Sequence, residues 1–183
     1  MTVVTMSIIA FIIIIIAALI TIIISKYNNI QNYIIRIEEA ENNIDSVLRK
    51  KYDLLNESIN IIQNETENKN KIMENITNIK KDELSSFELD RKLTDGTKEF
   101  NKYKDQYPSL SNNETFSKIQ IELNETEAET NAYKKYYNDL ITEYNKLVKT
   151  FPTVIISIIF KFKKKLYFDG KDMGDDNIKD FKL

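Results

Sequence analysis

From Phe116 to Pro152 the chain reads FSKIQIELNETEAETNAYKKYYNDLITEYNKLVKTFP. Within it Phe116, Ile119, Leu123, Thr126, Thr130, Tyr133, Tyr137, Leu140, Tyr144, Leu147 and Phe151 follow one another at steps of three and four. Residues so spaced fall on one stripe of an α-helix, and the alternation of the two steps is the pattern of a coiled-coil seam. Pro152 ends the stretch, since the residue before a proline is pushed out of helical geometry. Asn113 or Thr115 is placed to cap its start. The aromatic residues on the seam are read as core rather than as a ligand-binding stripe. Asn138 and Asn145, seven apart beside the seam, either fix register as buried polar residues or face water.

Toward the N-terminus the same logic extends. Between Lys26 and Pro108 there is one Gly and no Pro, so little interrupts helix. Ile30, Ile34, Ile37, Ile44, Leu48, Tyr52, Leu55, Ile59 and Ile62 step by three, four or seven, which predicts one helix to about residue 66. A second stripe, Ile72, Ile76, Ile79 and Phe87, continues to Leu93, where Asp95-Gly96 gives a turn signal. A short helix through Phe100 and Tyr103 is expected to follow. The fold class is therefore all-α, an N-terminal transmembrane helix continuing into an elongated antiparallel bundle of three to four long helices.

The transmembrane reading rests on residues 2–25, TVVTMSIIAFIIIIIAALITIIIS, which are longer than the roughly 20 apolar residues that cross a bilayer core. A signal peptide has a basic start, a shorter apolar run and a small-residue cleavage site, none of which is present, so an uncleaved anchor is expected. Lys26 and Arg36 follow the run and no basic residue precedes it, which favours an external N-terminus and a cytoplasmic domain, with the opposite orientation left open. The expected organisation is an anchor at 1–25, a helical bundle at 26–168 and a disordered tail at 169–183.

Composition removes most chemistry. The 183 residues include no Cys and no His, so disulfides, thiolate or imidazole metal sites, Cys nucleophiles and a histidine general base are excluded. Three glycines leave no phosphate-cradling loop to be written. With 28 acidic and 26 basic residues the net charge is −2, which offers no field for nucleic acid. No cofactor and no catalytic residue is expected. Carboxylates alone, such as Glu38, Glu41 and Asp45 on one helix face, are the only remaining enzymatic candidates, and surface charge is the commoner origin of such clusters.

After Pro152 comes TVIISIIF, too short to span a bilayer, and then Lys161 to Phe168, KFKKKLYF. Either a short helix caps the bundle here, or the segment lies at a membrane interface with its lysines on anionic headgroups.

The whole pattern resembles the LemA family. The resemblance is carried by Tyr107-Pro108-Ser109-Leu110, Asn113, Phe116, Glu125, Glu127, Tyr137-Asn138, Tyr144-Asn145, Phe151-Pro152 and Tyr167-Phe168. Near the membrane, Tyr27-Asn28, Ala40, Ile44-Asp45, Leu48 and the run Lys50-Lys51-Tyr52-Asp53-Leu54-Leu55 add to it. The sequence departs from the family where Glu41 replaces a usual Trp, Asn56 a usual Pro and Lys161 a common Gly. The resemblance implies a membrane-anchored helical protein and brings no catalytic residues. A non-enzymatic scaffold or adaptor is the leading expectation, bound to the bilayer through residues 1–25 and to a protein partner of unknown identity, with a homo-oligomer possible. The alternative is a structural protein touching lipid through its bundle and C-terminal basic segment.

Overall fold

The apolar run and the first stripe belong to one uninterrupted helix. The computed structural model describes residues 3–66 and 84–169. Helix α1 covers Val3–Thr66, and it is followed by α2 (Ser86–Gln106), a 3-10 turn (Pro108–Asn112), α3 (Glu114–Lys149) and α4 (Thr153–Ile159). All the regular structure among the described residues is helical, so the protein is all-α. The stripe residues Ile72, Ile76 and Ile79 and the tail from residue 170 onward lie outside the described residues.

Each helix has a visible local cause. Ser85 caps α2 by accepting from the Glu88 amide, while the Glu88 carboxylate accepts from the Ser85 amide at 3.1 Å, a reciprocal capping box. Asn113 rather than Thr115 caps α3, its Oδ1 accepting from the Phe116 amide at 3.0 Å. Along α1, Ile30, Ile37, Ile44, Leu48, Leu55, Ile59 and Ile62 are buried, as their spacing predicts. Every large apolar side chain from Val3 to Ile24 is instead exposed, and this is the one described helix long and apolar enough to cross a membrane.

Two expectations are corrected. Asp95-Gly96 is not a turn, because α2 runs through it and Gly96 is buried on a stripe with Leu89, Leu93, Phe100 and Tyr103. Gly96 lies against Leu55, Ser58, Ile59 and Ile62 of α1, so the missing Cβ serves close helix approach. The second correction is Phe151, placed on the seam by spacing but 80% exposed. Helix α3 ends at Lys149, so Phe151 lies in the turn between that helix and Pro152 and no longer follows the helical stripe. Toward the end of α3 Ile141 and Val148 are buried beside Leu140 and Tyr144, and Leu147 is only half-buried.

The chain divides into two compact units, residues 39–137 in one and residues 1–38 with 138–183 in the other. In the first, the Lys51–Glu127 and Glu41–Tyr137 pairs step ten residues down α1 as they step ten up α3, so these helices are antiparallel. Phe100 stacks on Phe116 at 4.6 Å, and Asp90 pairs with Lys134, which makes α2 antiparallel to α3 as well. In the second unit, Tyr27 of α1 packs against Phe160 and Phe162 beyond α4.

Candidate functional site

Polar groups inside a helical bundle are costly unless paired, so they mark where function or specificity resides. In the unit formed by residues 39–137, Lys51 is completely buried. Its ammonium donates to the Glu127 carboxylate and to Thr94 Oγ1 at 3.4 Å, joining α1, α3 and α2 at one point. Burial acts to raise the Glu127 carboxyl, but the hydrogen bond and charge of Lys51, with Lys134 and Asn131 nearby, prevail and hold it below the usual carboxylate range. Beside it, Thr126 and Thr130 are buried on the seam and satisfy their hydroxyls on the carbonyls of Glu122 and Thr126, at 2.6 and 2.7 Å.

Two further pairs complete this layer. Lys134 donates to Asp90 at 2.9 Å. Tyr137 donates its hydroxyl to Glu41 at 3.2 Å, and burial together with the Glu41 charge pushes the phenol up to about 12. Glu41, where the family usually has Trp, is therefore the acceptor for a family-pattern tyrosine. Asp45 pairs with Arg49 one turn along α1 at 2.9 Å, in a contact open to solvent. Among the described residues no group of three His, Cys, Asp or Glu is arranged to hold a metal. Asp53 lies on the exposed side of α1.

The remaining pattern residues converge in the other unit, on the extended segment 162–168 that follows α4. Asn145 grips the Lys165 backbone twice, accepting from its amide at 2.9 Å and donating to its carbonyl at 2.8 Å. Asn138 accepts from the Phe168 amide at 3.0 Å. Tyr144 donates to the Lys163 carbonyl at 2.9 Å, with burial pushing its phenol up. The Thr142 hydroxyl donates to the Asn138 carbonyl, so Tyr167 is the donor in its 3.1 Å contact with Thr142. These partners order 163–168 antiparallel to α3. Seven helical residues rise about 10.5 Å and three extended residues about 10 Å, so the two asparagines match Lys165 and Phe168 in spacing.

The asparagines thus fix register, but that of a non-helical strap. Spacing located them and could not name their target, because the strap has no periodicity. Of the other pattern positions, Asn28 is exposed, Tyr107 stacks on Tyr103 at 6.1 Å and Pro108 opens the 3-10 turn that buries Leu110. The Phe151-Pro152 peptide is cis. Lys161, where the family commonly has Gly, adopts φ 60°, a left-handed conformation that glycine enters without steric cost.

Lys51 stands in the run that carries the family resemblance, but sequence reasoning gave it no place in the core. Its signal was present, since Leu48, Lys51 and Leu55 step by three and four just as Leu48, Tyr52 and Leu55 step by four and three. A lysine on an apolar stripe, with Glu127 on the facing helix, is a candidate buried ion pair. The LemA family model matches residues 40–179, which include both partners and the whole strap. No curated protein matches the chain.

Proposed function

The chain belongs to the LemA family, and from that premise we propose that it is a non-enzymatic, single-pass scaffold or adaptor of the membrane. The observation that carries the reading is α1 itself, whose uncovered apolar run passes without a break into the family's helical region. Exposed isoleucines over more than 20 residues are tolerable only in lipid or under another protein, and a lone N-terminal helix of this length suits lipid. The buried Lys51 and Asn145, with the half-buried Glu127 and Asn138, are spent on holding helices and strap together, and a rigid region of that kind beyond the span suits surface presentation to a partner. Lys26 and Arg36 favour a cytoplasmic location for that region and an external N-terminus.

Two measurements test this. A cysteine at Ser111, in a chain without native cysteine, should stay unlabelled by a membrane-impermeant thiol reagent in intact cells and react after lysis. Labelling in intact cells would reverse the orientation. Crosslinking in gently solubilised membranes should enrich one protein in fixed ratio to the chain; recovery of bulk membrane proteins in proportion to abundance would remove the adaptor reading.

A further inference from the structure

We propose that α4 and the lysine-rich segment behind it, residues 153–165, form a second membrane contact, lying in the headgroup layer of an anionic bilayer beside the span. The inference rests on residues 1–25 being that span. Tyr27 fixes the height. It follows Ile24, the last apolar residue of the run, by three positions, about 4.5 Å along the helix. The polar layer flanking the roughly 30 Å hydrocarbon core is about 5 to 7 Å thick on each side, so Tyr27 sits within it. Phe160 and Phe162 pack on Tyr27 with ring centroids at 4.9 and 5.7 Å, which brings the end of α4 to the same level. An aromatic cluster at that depth is the usual composition of a membrane interface.

The side chains around this point suit lipid better than water. Helix α4 buries Thr153, Ile156 and Ser157 against its own unit but leaves Ile155, Ile158, Ile159 and Phe160 exposed at 50, 73, 63 and 47%. Four large uncovered apolar residues within six positions make a patch that needs an occupant. Immediately after them come Lys161, Lys163, Lys164 and Lys165, with no acidic residue between Pro152 and Phe168. The strap bonds from Tyr144 and Asn145 hold the backbones of Lys163 and Lys165, so the basic segment is presented from a fixed frame. Between α4 and the end of α3 lies an open depression of about 370 Å³, floored by Val148, Val154, Ile158 and Phe162 and rimmed by lysines. Apolar residues, then lysines, next to the exit of a span are complementary to acyl chains below anionic phosphates.

The test uses the full chain in vesicles of phosphatidylcholine with and without phosphatidylglycerol. A bimane label on Ile159→Cys should be quenched by a lipid carrying a nitroxide near the headgroup. It should also lose most of the iodide quenching seen for a label on Ser111→Cys. Both effects should grow with phosphatidylglycerol, and replacing Lys161, Lys163 and Lys164 by Gln should abolish that growth. A label on Ile14→Cys reports the span separately. If Ile14→Cys is quenched by lipid while Ile159→Cys is quenched only by iodide, the second contact is overturned and the span stands. If neither meets lipid, the span reading falls and takes this inference with it. Equal lipid quenching with and without phosphatidylglycerol overturns the anionic preference. Self-quenching of the Ile159→Cys label without lipid quenching assigns the patch to a second copy instead.

Discussion

Replacing Glu127 with Ala strands the Lys51 ammonium inside the bundle. Lys51 is wholly buried, whereas the Glu127 side chain keeps 37% of its surface, so the two partners are not equivalent when left alone. Removing one member of a buried pair costs about 3 to 5 kcal/mol, and partial solvent access at Glu127 argues for the lower end, about 3 kcal/mol. For a chain of this size about 1 kcal/mol moves Tm by roughly 2 to 4 °C, so Glu127→Ala should lower Tm by roughly 10 °C. Lys51→Met keeps the stem packed and leaves a carboxylate that water can reach, so its cost should be about 1 kcal/mol. The double variant should recover most of the loss of Glu127→Ala, since no buried charge remains. Far-UV circular dichroism of the full chain in mild detergent reads all three. The pH dependence adds a second check. A carboxyl held low in the folded state contributes stability that is present above its unfolded value and lost as pH falls through its folded one. Wild type should therefore lose stability relative to Lys51→Met below about pH 4. Equal costs for Glu127→Ala and Lys51→Met, or a cost for Glu127→Ala below about 1 kcal/mol, would refute the argument.

Other outcomes follow from single sites. Lys161→Gly should raise Tm by a few degrees, because a left-handed lysine costs about 1 kcal/mol that glycine avoids; no change or a drop in a thermal melt would contradict this. Asn145→Ala removes both bonds to Lys165 and should speed amide exchange at Lys165 and Phe168 by at least tenfold, a loss of about 2 kcal/mol. Protection unchanged at both amides would show the strap to be held by other means. Tyr137 has its phenol raised to about 12, so its contribution is complete below pH 10 and is lost as pH rises through 12. Tyr137→Phe should remove the highest step from an ultraviolet phenolate titration and flatten the alkaline fall in stability.

How much of this was legible depends on which signal each element carries. Helix α3 announced itself through its seam, and ten of the eleven seam positions are buried or half-buried; the eleventh, Phe151, lies past the end of the helix at Lys149, a boundary that the apolar spacing alone does not mark. Gly96 misled because a glycine after an aspartate is locally a turn signal, while its use as a close-approach point depends on Leu55 and Ile59 from a distant helix. Lys51 was readable in principle, by asking which charged residue occupies an apolar stripe. The strap was not, since an irregular segment held by side-chain bonds to its backbone has neither period nor propensity to betray it. Spacing offered Asn138 and Asn145 as register-fixing or water-facing residues and family resemblance flagged Tyr167 without a role; geometry supplied the partner of each.

Those same bonds have a consequence for how the chain can vary. Tyr144 and Asn145 on one side and Lys163 and Lys165 on the other close a loop at its base, and everything from Phe151 to Phe162 hangs beyond that clasp. Length changes between Lys165 and Phe168 break the match with Asn145 and Asn138, and a residue added or lost within the loop has to leave Thr153, Ile156 and Ser157 buried and Phe160 and Phe162 against Tyr27. Variation at the tip is thereby confined to substitutions that keep those contacts, so that the loop and its clasp have to change together.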